Sequence, residues 1–235
     1  MLYGKHMGLR GDVHKLLAAG DEKATALRDL WDDLLDQTGP DLLAPRGVWQ
    51  GFEANGDGDD LIVWDPEAPE RELARFTFPR QQQAPGRCLS DFLPTVDSGE
   101  RDAIAAFCVT AGQGVRDQAR RWKEEGEYLR SHGLQALALE TAEAFAEKLH
   151  AEIRAAWGLD DSGLARKQIF QARYQGCRYS FGYPACPNLD DQRILWRMLG
   201  PQDIGVSLTE DCMMDPEASV SALVFHHPDA DYFSV

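Results

Sequence analysis

Leu27, Leu30, Trp31, Leu34 and Leu35 recur at i, i+3, i+4, i+7 and i+8, which lays one apolar stripe along a helix. Gly39-Pro40 ends that helix. Strand patterns follow. Residues 48–52 and 61–64 flank a Gly/Asp-rich turn over 55–60 and predict a hairpin with a longer loop. Residues 73–78 alternate up to Pro79, and 104–110 form a further strand closed by Ala111-Gly112. Two long helices come next. One covers about 113–129 with Gly133 just beyond it, and the second covers about 134–157 and stops at Gly158. A shorter helix spans about 190–199 with Asp190 as its N-cap, and 219–225 is a last strand. Strands and helices are segregated rather than alternating. The expected fold class is therefore α+β: a single domain over 1–235, with a mainly antiparallel twisted sheet and long flanking helices. Residues 1–45 form its helical N-terminal part.

One stretch breaks every periodic pattern. Residues 174–187 read Tyr-Gln-Gly-Cys-Arg-Tyr-Ser-Phe-Gly-Tyr-Pro-Ala-Cys-Pro. Proline fixes φ and removes a donor, and glycine permits positive φ and close backbone approach. The segment suits a rigid, ordered loop better than a helix or a central strand. Such a loop presents one bidentate cation (Arg178), several free carbonyls and an aromatic face (Tyr183) at set positions, which is the making of a small-molecule cradle.

Composition narrows the partners. A net charge of −15 over 235 residues argues against nucleic acid and against an anionic membrane surface. No apolar run approaches the length that spans a bilayer, and the N-terminus has no signal-peptide core. Five scattered cysteines without C-x-x-C spacing suit a reducing cytoplasm and small buried hydrophobes. Four further patterns carry little. Asn55-x-Asp57-x-Asp59 starts like a calcium loop, but Asp60 and Pro66 stand where Gly and Glu belong. Asp12-Val13-His14 starts like a corrinoid-binding segment, but Leu17 replaces its glycine, and Asp12 reads as a helix cap. Gly112-Gln113-Gly114 lacks the third glycine of a dinucleotide loop. His226 and His227 are neighbours on a strand and point to opposite faces.

Arg178 to Pro187 spell R-x-x-x-G-Y-P-A-C-P, and here the chain resembles the AdoMet-binding reactivation domain of cobalamin-dependent methionine synthase. Further matches are collinear from about residue 46 to 233. They include Arg46-Gly-Val, Ala54-Asn55 with Gly58-Asp59-Asp60, Phe78-Pro-Arg-Gln, Cys88-Leu-Ser-Asp-Phe and Phe107-Cys-Val-Thr. Residues 142–150, Leu208-Thr-Glu210, Ala218-Ser-Val-Ser221 and His227-Pro228 with Tyr232-Phe233 complete the series. The resemblance implies a module that presents S-adenosyl-L-methionine to cob(II)alamin while flavodoxin or another one-electron reductase supplies the electron. The cobalamin itself would sit in a neighbouring corrinoid-binding module, in the same or a separate chain.

The resemblance also assigns residues. Arg178 takes the ligand carboxylate, for which a bidentate guanidinium is better suited than lysine. The backbone at Ser180 and Gly182 bonds the amino-acid moiety and adenosine, and Tyr183 offers its face to the sulfonium. Glu143 acts on the cationic end of the ligand, and Tyr232 and Phe233 lie near the adenosine. No general acid, base or nucleophile is named, because the leaving group is a neutral thioether and the protein's task is orientation. The chain departs from the family at Ala172, where a second carboxylate is usual, and at Asn188-Leu189, where an acid and a histidine are usual. The family's N-terminal stretch with another ligand-binding aspartate is expected to be missing before Met1, and relatives continue beyond Val235 into further helical sequence. These departures keep open a non-catalytic AdoMet-sensing or protein-interaction module with the same fold. A basic patch (Arg116, Arg120, Arg121, Lys123) offers a docking face for an acidic reductase.

Overall fold

A computed structural model describes residues 6–39, 42–159, 161–169 and 171–235. Pro40, half of the predicted helix stop, lies outside these residues. Two N-terminal helices, α1 (Val13–Ala18) and α2 (Glu22–Gln37), are capped by the side chains of Asp12 and Asp21, which accept from Lys15 N and Ala24 N. Along α2, Ala24, Leu27 and Leu34 are buried, but Leu35 is 46% exposed, so the stripe is narrower than its spacing predicts.

Six strands form one sheet in the order β3-β2-β1-β4-β8-β5, and every pairing within it is antiparallel. They are β1 (Arg46–Asp57), β2 (Asp60–Asp65), β3 (Ala68–Thr77), β4 (Asp102–Thr110), β5 (Cys177–Tyr179) and β8 (Ser219–Phe225). A separate ribbon pairs β6 (Ser207–Leu208) with β7 (Met214–Asp215). The α+β expectation holds. The first hairpin is tighter than expected, because Asp57 pairs with Asp60 across only Gly58 (φ +62°) and Asp59. Asn55, read as part of the turn, is a buried strand residue. Its amide donates to the Pro94 and Glu100 carbonyls at 3.0 and 2.7 Å and its oxygen accepts from Trp64 Nε1 at 2.8 Å.

The sheet alternation divides the core in two. Phe52, Leu61, Phe76, Ile104, Tyr179 and Phe225 face one layer, closed by Phe78, Leu89 and Phe92 and by helix α6 (Gln192–Leu199), which follows the short α5 (Arg166–Ile169) in the chain. Ala105, Phe107, Val109, Ala222 and Val224 face the other, against Ala146, Leu149 and Ile153 of the long helix α4 (Tyr128–Ala156). Helix α3 (Gly114–Glu124) packs beside α4, and Ser131 Oγ donates to the Ala119 carbonyl at 2.7 Å. The break between these helices falls at Gly126 (φ +86°) and not at Gly133, which is buried inside α4. A glycine ends a helix by taking the left-handed conformation, and Gly133 keeps helical geometry because its face is covered. Asn188, rather than Asp190, caps the turn that leads into α6, accepting from Asp190 N at 3.2 Å. All five cysteines are free and buried. No helix of the described residues is long and apolar enough to cross a membrane.

Candidate functional site

The signature segment opens as an edge strand. Gly176, at φ +89°, admits the chain beside the end of β8, where a Cβ would stand 2.7 Å from the Phe225 carbonyl oxygen. Cys177–Tyr179 then pair with β8 only, leaving their other edge open. Cys177 and Tyr179 point into the core layer, so Arg178 between them turns to the opposite face, where α4 lies. Beyond the strand the chain closes on itself. Gly182 N–H donates to the Cys186 carbonyl and Cys186 N–H to the Tyr183 carbonyl, both at 2.9 Å, and the Cys186 thiol donates to the Ser180 carbonyl at 2.9 Å. Burial pushes that thiol up to about 12, which leaves it a structural donor. Gly182, at φ +84°, has Leu189 where a Cβ would go (2.9 Å to Cδ2).

Arg178 is the electrostatic centre. Its side chain is 17% exposed, and Nη1 donates to Glu147 Oε2 at 2.6 Å. Nη2 lies 3.8 Å from Glu143 Oε2, outside hydrogen-bond range, and Glu143 is half exposed. Burial works against the Arg178 cation, but the hydrogen bond and charge of Glu147 outweigh it and raise its pKa. Behind Glu147 runs a buried polar layer. Tyr174 donates to Glu147 Oε2 at 3.4 Å, the Arg154 guanidinium lies 3.6 Å over the Tyr174 ring, and His150 meets that ring edge-on at 5.3 Å. Arg154 in turn donates from Nε to Asp161 at 3.1 Å.

On the other side of the β5 edge, a concavity of about 170 Å³ is lined by Ser180, Tyr183, Pro184, Tyr232, Phe233 and their neighbours. Tyr183 and Tyr232 flank it, 61% and 67% exposed. Tyr232 also stands beside the Cys177 thiol and within electrostatic reach of Arg178 and Glu147, so it links the two halves of the site. Phe233 is half-buried and packs edge-on against Phe92, a core role. Of the predicted set, Ser180, Tyr183, Tyr232 and Phe233 share one concavity, and Arg178 and Glu143 face each other beside it. The Gly182 N–H is committed within the loop, so only its carbonyl remains for another partner. Glu147, Tyr174, His150 and Arg154 did not stand out in the sequence. For the three on α4 the signal is a polar stripe at 143, 147, 150 and 154, spaced i, i+4, i+7 and i+11 along a helix whose other buried residues, Ser131 apart, are apolar or glycine.

A larger cavity, about 480 Å³, lies elsewhere, between α3 and α4. Its basic residues are mostly spoken for: Arg116 pairs with Asp215 at 3.0 Å, and Arg120 with Asp117 at 2.8 Å. Arg121, on the same helix, bonds Gln118 at 2.7 Å. The signature loop, not this cavity, concentrates the chemistry.

The fold is that of an α+β module with a mostly buried arginine and a small concavity at one sheet margin. A profile for the activation domain of vitamin B12 dependent methionine synthase matches residues 5–235, and the chain belongs to that family. It is 36% identical over 224 residues to the methionine synthase of Mycobacterium tuberculosis and 33% over 221 residues to that of Mycobacterium leprae. Each alignment covers 87% of this chain and 18% of the relative, so the chain spans about a fifth of the length of these proteins. Its backbone is similar to the crystal structure of the MetH reactivation domain bound to AdoHcy, with a TM-score of 0.90 and 31% identity, over 99% of this chain and 74% of that one.

Proposed function

We propose that this domain binds S-adenosyl-L-methionine at the β5 edge and holds its methyl group for transfer to a cobalamin carried by a corrinoid-binding module, so reactivating a methionine synthase. The observation that carries the reading is Arg178, a mostly buried guanidinium on an edge strand with Nη2 left over after its bond to Glu147. That is the group an α-carboxylate needs. The other residues fit the same ligand. The half-exposed Glu143 suits a cationic end, and the exposed faces of Tyr183 and Tyr232 suit a sulfonium and a purine. At about 170 Å³ the concavity is smaller than the roughly 300 Å³ of a pocket that encloses a whole drug-sized molecule. It accommodates one moiety, and the rest of the ligand stays open to a second module.

AdoMet supplies an activated methyl group whose departure leaves a neutral thioether. The protein's contribution is therefore orientation: anchoring the amino-acid end at Arg178 restricts where the sulfonium points. The AdoHcy-bound neighbour supports this reading, since AdoHcy is AdoMet without the methyl. A separate one-electron reductase would serve the cobalt. The test is spectroscopic. The domain is mixed with a corrinoid module loaded with cob(II)alamin, AdoMet and a chemical reductant. We expect methylcobalamin absorbance to grow only when domain and AdoMet are both present. Equal growth without the domain would refute the proposal, and AdoMet binding without growth would favour a sensing module.

A further inference from the structure

We infer that Glu147 is a positioning residue: it holds the Arg178 guanidinium in the orientation that receives the ligand carboxylate. The inference rests on the AdoMet reading above and extends it to a residue that does not touch the ligand.

The geometry points this way for three reasons. Glu147 Oε2 takes the Nη1 hydrogen bond at 2.6 Å, whereas Glu143 is 3.8 Å from Nη2 and half exposed. Without Glu147, the nearest carboxylate to a mostly buried cation is Glu143, and reaching it would turn Nη2 away from an incoming carboxylate. Glu147 Oε1, for its part, is sealed from solvent and has no hydrogen-bond partner among the described residues, and Oε2 is taken by Nη1, so both oxygens are turned to the protein rather than offered to a ligand. Glu147 is also held from behind. Tyr174 donates to Oε2 at 3.4 Å, and its ring lies between the Arg154 guanidinium at 3.6 Å and His150 at 5.3 Å. Arg154 is fully buried and anchored on Asp161. A line of contacts thus runs from the segment after α4, through Tyr174 and Glu147, to the arginine. Side chains locked in this manner bind with less ordering cost than free ones.

The test separates an effect on the carboxylate from an effect on the whole site. AdoMet and decarboxylated AdoMet share the sulfonium, ammonium and adenosine and differ only in the carboxylate. Both are titrated into wild type, Glu147→Gln, Glu147→Ala and Tyr174→Phe by calorimetry, with circular dichroism as a check on folding. We expect wild type to prefer AdoMet, and Glu147→Gln to weaken AdoMet about tenfold while decarboxylated AdoMet changes less than about twofold. Tyr174→Phe, which keeps the ring, should weaken AdoMet only about twofold. Should Glu147→Ala fail to fold, the Gln variant still decides, because it keeps the shape and one acceptor oxygen. Equal weakening of both ligands, or Glu147→Gln binding AdoMet like wild type, overturns the inference and leaves the AdoMet reading standing. Absence of AdoMet binding by wild type overturns both.

Discussion

At the scale of single residues, the clearest consequence concerns His150. It is fully buried among the groups that support Arg178, and neither ring nitrogen has a hydrogen-bond partner among the described residues. Burial, with Arg154 and Arg178 nearby, lowers its pKa from 6.5 to about 3. The unfolded chain takes up a proton there near pH 6.5 and the folded chain does not. Stability is therefore complete above 6.5 and falls as pH drops toward 3. Between pH 6.5 and 5 the loss from this group alone is about 2 kcal/mol. Urea unfolding of wild type and His150→Phe at both pH values checks it: the variant should lose distinctly less, and parallel losses would contradict the assignment. Arg178 was readable in the sequence because it opens a specific motif. Glu147 was not, since a glutamate on a long helix is usually solvated. Only its place in line with 143, 150 and 154 hinted at a buried polar stripe.

Among elements, β5 depends on Gly176. Both Gly176 and Gly126 adopt positive φ, at +89° and +86°, but a Cβ at 126 meets open space and one at 176 meets the Phe225 carbonyl at 2.7 Å. Gly126→Ala should cost about 1 kcal/mol, the backbone term alone. Gly176→Ala should cost about 3 kcal/mol or more, because β5 must move off β8. Denaturant titrations compare the two, and equal costs would mean that the strand yields without loss. The same contrast explains what the sequence concealed. β8 was legible over residues 219–225 because its hydrophobic run is long and clearly bounded. β5 was hidden because three residues framed by Gly176 and Gly182 carry no period. Gly126 and Gly133 are chemically alike, and only the packing of α4 reveals which one ends a helix. Asp190 and Asn188 are likewise both good caps, and the chain direction in three dimensions selects Asn188.

For the whole molecule, segregated strands and helices were sufficient to anticipate an antiparallel sheet flanked by long helices. Collinear motifs singled out one loop, and the structure brings Ser180 and Tyr183 of that loop together with Tyr232 and Phe233, about fifty residues away, around one concavity. Strand order was beyond the sequence, because long-range pairing such as β1 with β4 is set by which faces remain to be buried. The chain spans 18% of its Mycobacterium tuberculosis relative, and β5, which carries Arg178, lies at the margin of the sheet. The proposed role requires this edge to bind AdoMet through Arg178. Calorimetric titration of AdoMet into wild type and Arg178→Ala tests it most directly. Wild type should bind saturably and one-to-one, and the variant about a hundredfold more weakly through the loss of a charge-assisted contact. Equal affinity in the two proteins would contradict it.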